Sequence, residues 1–168
     1  MILNNAVNTG PFIYCMAYFA PHENHSYYNS GDGHHHQWTY VLDGSAEIVM
    51  GDPSDPIYSN NSNVPGTLFD HSEYKDMYHN IKTINNSLSL INFNPVPATR
   101  DLLVDIVKGP CVRAVTTTSK RVTVVCITGP IMINDKELVS LQHAKIFSPK
   151  TATLNLPDNT ICALVSDK

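Results

Sequence analysis

The chain has 168 residues, a formal net charge of −4 with its histidines neutral, and only 15% charged residues. That length suits one core, or two small β modules sharing one, rather than two ordinary independent domains. So little positive charge provides no basic surface to neutralise phosphates, which excludes nucleic acid as the expected partner.

The opening stretch MILNNAVNTGPFIYCMAYF has an apolar patch but no basic n-region and no sustained run of signal-peptide type. No stretch approaches the roughly 18 consecutive apolar residues of a spanning helix, so neither secretion nor membrane insertion is expected. FIYCMAYF (12–19) reads as a strand broken by Pro21, and PHENH places His22 and His25 in an exposed loop. GDGHHHQ (31–37) then brings three consecutive histidines up to the strand WTYVLD (38–43). AEIVM (46–50) follows across Gly44-Ser45, a connection of hairpin length in which glycine supplies the positive φ. DPSDPIYSNNSNVPG (52–66) reads as a polar loop, after which TLFD, YHNIKTI and LSLINF supply further strands, five or six in this half.

NPVPATR (94–100), with two prolines, marks an internal boundary, giving modules 1–97 and 98–168. DLLVDIVK (101–108) fits either a short helix or a strand. RVTVVCIT, IMI, ELVSL, AKIF, ATLNL and TICALVS then resume the strand-turn rhythm to the end. The four cysteines form no CxxC pair, and Cys15, Cys126 and Cys162 each sit in an apolar run. They read as buried thiols in a reducing, cytoplasmic setting.

WTYVLDGSAEIVMGD resembles the first motif of the cupin superfamily, through Tyr40, Val41, Leu42 and Gly44. VTVVCITGPIMIN, KELVSLQHAKIF and LNLPDNTICALV resemble a second cupin half-barrel. The resemblance implies an all-β jelly-roll barrel, two short modules packed as a bicupin, and pairing into a homodimer. It also implies a site for a divalent transition metal (Fe, Zn, Mn or Ni) that acts on a small molecule. Counting back seven from Gly44 puts Gln37 where the family carries glutamate, and the family's HxH falls on positions without histidine.

In place of that HxH stand His34, His35 and His36. A bulge before the strand would aim His34 and His36 inward with Gln37, whereas simple alternation puts His35 on the face of Gln37, Thr39 and Val41. Across the barrel, GTLFDHSEYKDMYHNIKTI (66–84) occupies the place of the second motif, with His79 in a strand as its ligand and His71 in a turn. The implied metal set is therefore His34, His36, Gln37 and His79, with His35 as the alternative ligand, and Trp38 and Tyr40 at the substrate wall. A set of three imidazoles and one amide carries no charge, so it holds a divalent ion less strongly than one with a carboxylate. No nucleophile elbow, phosphate loop or Cys-His pattern assigns a catalytic residue. Two functions follow: a metal-dependent dioxygenase, isomerase or lyase, or a metal-free barrel that binds a small ligand or serves as a structural subunit.

Overall fold

The computed structural model describes residues 2–29, 37–52, 54–74, 76–117 and 120–168. In chain order the strands are β1 (Ile2–Asn8), β2 (Phe12–Phe19), β3 (Asn24–Asn29), β4 (Trp38–Gly44), β5 (Ala46–Asp52), β6 (Asp55–Asn63), β7 (Leu68–Asp70), β8 (Met77–Lys82) and β9 (Leu88–Pro95). They continue as β10 (Leu102–Lys108), β11 (Cys111–Thr117), β12 (Val122–Thr128), β13 (Ile131–Ile133), β14 (Lys136–Leu138), β15 (His143–Ile146), β16 (Lys150–Leu156) and β17 (Ile161–Asp167). A single 3-10 turn, Ser72–Tyr74, is the one helical element among the described residues. No helix there is long and apolar enough to cross a membrane.

The chain divides into two compact units, Met1–Asp101 and Leu102–Lys168. In the first, one sheet runs β1-β2-β9-β4-β7 and the other β3-β8-β5-β6. Alternation along each strand turns one face of each sheet toward the same interior. Ala17, Phe19, Val41, Leu88 and Leu90 from the first sheet meet Ala46, Ile48, Met50 and Ile81 from the second in one apolar cluster. In the second unit the sheets are β10-β17-β12-β15 and β11-β16-β13-β14, closing over Val124, Cys126, Cys162 and Leu164 on one side and Ile131, Leu154 and Leu156 on the other.

Several local expectations change. DLLVDIVK is the strand β10, paired along its whole length with β17, with Leu102 and Val104 buried and Leu103 and Asp105 exposed. The segment after Asp52 is not a loop: β6 pairs with β5. β1, β3 and β11 are additional strands, and His25 lies in β3, half-buried with its ring 6.1 Å from Phe19, rather than in an exposed loop. Most consequential is Gly44. β4 and β5 do not form a hairpin; β4 pairs with β7 and β9, β5 with β6 and β8, so the turn carries the chain from one sheet to the other.

The second core makes a chemical prediction. Cys126 and Cys162 are register partners on β12 and β17, and all four cysteines are reduced. Burial pushes the Cys126 thiol up to about 11. Burial, reinforced by the neighbouring Cys126, pushes Cys162 up to about 12. Both folded values lie above the unfolded one, so the stability these thiols contribute is full below about pH 9 and is lost as pH rises through 11 and 12. Urea midpoints are expected to fall over that window and to fall less steeply in a Cys126→Ala/Cys162→Ala protein. At pH 8 neither thiol should react with a disulfide reagent before unfolding.

Candidate functional site

At one end of the first unit's cluster the apolar interior gives way to polar side chains, nearly all withdrawn from solvent: Gln37 is 1% exposed, His71 1% and His79 0%. An interior of this kind is stable only if its donors and acceptors are paired, so the pairing reveals how each group is held.

His79 comes from β8, on the face that also carries Ile81, and is the register partner of Met50 on β5. His71 sits just past β7, at the mouth of the 3-10 turn, with its backbone N–H donating to the Gln37 carbonyl. The turn serves both histidines: Tyr74 N–H donates to the His71 carbonyl at 2.9 Å, and the Tyr74 carbonyl accepts from His79 Nε2 at 3.0 Å. The imidazoles lie nearly parallel, with centroids 5.1 Å apart and planes at 17°. Phe69 presents a T-shaped contact to His71 at 4.5 Å and stacks on Tyr74.

Gln37 is held by its amide nitrogen. Nε2 donates to Ser72 Oγ at 2.8 Å and to Asp101 Oδ1, using both amide protons. Ser72 is in turn fixed by Asp70, which accepts from its backbone N–H at 2.9 Å and from its hydroxyl. The Asp101 carboxylate behind Nε2 increases the electron density on the Gln37 amide oxygen.

A row of polar residues crosses the sheet beside the histidines. Cys15, Asn92 and Thr39 are direct register partners on β2, β9 and β4. Thr39 Oγ1 donates to Asn92 Oδ1 at 2.6 Å and lies 2.9 Å from His71 Nε2. Burial raises the Cys15 thiol, opposed by its hydrogen bond with Asn92.

Of the residues expected from the sequence, the structure brings His79 and Gln37 into this one region. His34, His35 and His36 lie outside the described residues. Trp38 and Tyr40 alternate with Thr39 on β4 and occupy the opposite face of the sheet, where Trp38 pairs in register with Phe93 and Tyr40 with Ile91. The region also holds His71, which the sequence places in a turn and sets aside in favour of His79, and Thr39, Asn92 and Asp101, which the sequence does not single out as site residues. His71 has a signal, since it lies within eight residues of His79 in GTLFDHSEYKDMYHNIKTI; Thr39 and Asn92 have none, because their meeting depends on β4 and β9 being neighbours. Among the described residues no three of His, Cys, Asp and Glu come together as a metal-binding group.

No family model matches the chain, and no curated protein does. Solved structures do. HutD from Pseudomonas fluorescens SBW25 superposes with a TM-score of 0.65 at 13% identity, over 94% of this chain and 80% of that one. Oxalate decarboxylase from Lactobacillus farciminis, in its formate complex, gives 0.65 at 7% identity over 94% and 77%. A cupin 2 conserved barrel domain protein from Leptotrichia buccalis gives 0.51 at 12% identity over 99% and 88%. At these identities the likeness is one of fold.

Proposed function

We propose, from the premise that this chain has the cupin jelly-roll fold, that its first unit binds a divalent transition metal and presents it to a small molecule. The observation that carries this reading is the hydrogen bonding of two buried, near-parallel histidines, each with Nε2 against an oxygen atom. A backbone carbonyl only accepts, so His79 Nε2 carries the proton it gives to Tyr74. The Thr39 hydroxyl proton goes to Asn92, so His71 Nε2 must likewise donate. In the neutral state the lone pair of each ring is therefore on Nδ1. A histidine that gives one N–H to a carbonyl or hydroxyl and keeps the other nitrogen for a metal is the usual arrangement of a metal-ligating imidazole.

The ligands in this reading are Nδ1 of His79 and His71, the Gln37 amide oxygen, and a histidine of the 34–36 triplet. Imidazole and amide donors suit Fe, Mn, Ni or Zn. Asp101 supports the fit by placing, one hydrogen bond behind Gln37, the negative charge that a glutamate ligand would have supplied directly. When bound, the metal supplies Lewis acidity toward an oxygen of the small molecule or toward water. The chain's own residues exclude solvent, orient the rings and hold the Gln37 amide by its nitrogen.

The solved structures with this fold include a salicylate 1,2-dioxygenase and an oxalate decarboxylase, which supports small carboxylates as the first substrates to try. Cobalt(II) titration tests the reading: visible ligand-field bands that saturate near one equivalent are expected, and a featureless spectrum contradicts it. The alternative is a metal-free barrel that binds a small ligand or serves as a structural subunit.

A further inference from the structure

We propose that Thr39 and Asn92 are positioning residues that fix the proton of His71 on Nε2 and so choose Nδ1 as the nitrogen His71 offers to a ligand. The functional use of that choice rests on the metal reading above; the choice itself does not.

A carboxamide has one accepting end and one donating end, and Asn92 sits between two partners of different kinds: the Cys15 thiol on β2 and the Thr39 hydroxyl on β4. Its oxygen faces Thr39 at 2.6 Å, which leaves its Nδ2–H for the sulfur. Thr39 has a single hydroxyl proton, and giving it to Asn92 turns Oγ1 into an acceptor toward His71, 2.9 Å away. His71 must then donate from Nε2. The row therefore has one direction, His71 to Thr39 to Asn92 to Cys15, set by the one member that cannot reverse its roles without turning its amide over. All four side chains are buried, so water is not at hand to supply a substitute donor or acceptor.

Threonine alone would not do this. A hydroxyl that lacks a committed acceptor can rotate and donate to Nε2 instead, moving the imidazole proton to Nδ1 and blocking that nitrogen. Asn92 removes that freedom although it never touches the histidine. The assignment thus gives a role to an asparagine buried on the face of β9 that also carries Leu88 and Leu90.

Imidazole nitrogen shifts of the metal-free protein, read by NMR at pH 8.5 where histidine is neutral, test the proposal. Wild type is expected to show His71 protonated at Nε2. Asn92→Leu and Thr39→Val, close in volume to the residues they replace, are expected to move the tautomer ratio toward Nδ1–H by roughly 3- to 10-fold, the equivalent of one hydrogen bond. Thr39→Ser, which keeps the hydroxyl, should restore the wild-type pattern. The backbone amide spectrum reports whether each variant is folded. A wild-type His71 protonated at Nδ1, or shifts unchanged in both variants, would overturn the proposal. Adding zinc separates the two claims: a fixed Nε2–H tautomer with no zinc-dependent change at Nδ1 defeats the metal reading and leaves the positioning role standing.

Discussion

Gly44→Ala is expected to destabilise the first unit by at least about 3 kcal/mol, a large share of the roughly 5–15 kcal/mol that holds a domain folded. Two costs add. Gly44 has φ +82°, which an L-residue adopts with difficulty, and a Cβ built there would lie 1.8 Å from the Ser87 carbonyl oxygen and 3.0 Å from Leu88 Cα. Those are backbone atoms of the segment that enters β9, register partner of β4 at this point, so no side chain can swing aside. Relief requires separating the two strands at the place where the chain crosses between sheets. Gly10 is the control. Its φ is +97° but a Cβ there meets nothing within 4 Å, so Gly10→Ala should cost only the conformational term, about 1 kcal/mol. Urea midpoints of the two variants measure the difference, and equal losses would show that the Ser87 contact is not what fixes Gly44.

The second large effect separates structure from ligation at His79. His79→Gln keeps an N–H donor at the position of Nε2, so the Tyr74 carbonyl stays paired and stability should fall by no more than about 1 kcal/mol. The Nδ1 lone pair is lost, and metal affinity should drop more than about 100-fold. His79→Ala, by contrast, empties a fully buried position and leaves that carbonyl with no imidazole, so it should cost about 2–4 kcal/mol in addition to the metal. His71→Ala should resemble it, since its ring also packs against Phe69. Isothermal titration with zinc, alongside thermal melts, reads both quantities. Wild-type zinc affinity in a folded His79→Gln protein would remove His79 from the ligand set.

The strands legible in the sequence are those with runs of valine, isoleucine, leucine and aromatic residues: β2, β4, β5, β7, β8, β9 and β12 to β17. β3 and β6 escaped because NHSYYN and DPIYSNNSN have the composition of loops, and their place in a sheet comes from neighbours rather than from their own propensity. Gly44-Ser45 misled for a related reason. A glycine turn between two strands has the same local signature whether the chain folds back on its own sheet or passes to the facing one, and the preference of β4 for β9, over 40 residues later, is not written at the turn. The same non-local pairing explains the candidate site. His79 was readable because it interrupts an apolar strand, and Gln37 because it sits at a fixed distance from Gly44. His71 looked like a turn residue, and it is one; its burial comes from the turn folding inward over His79. Thr39 and Asn92 carry no sequence signal of their own, since a threonine and an asparagine in separate strands become a pair only when the register is known.

In the proposed function the buried histidines of the first unit hold a metal ion. Protein purified without an affinity tag from cells supplemented with manganese, iron, nickel and zinc, and then analysed for all four elements, tests this directly. About one ion per chain in the wild type, falling to background in His79→Gln with the fold intact, is the predicted result. Less than about 0.2 ion per chain in the wild type under every supplement would contradict it.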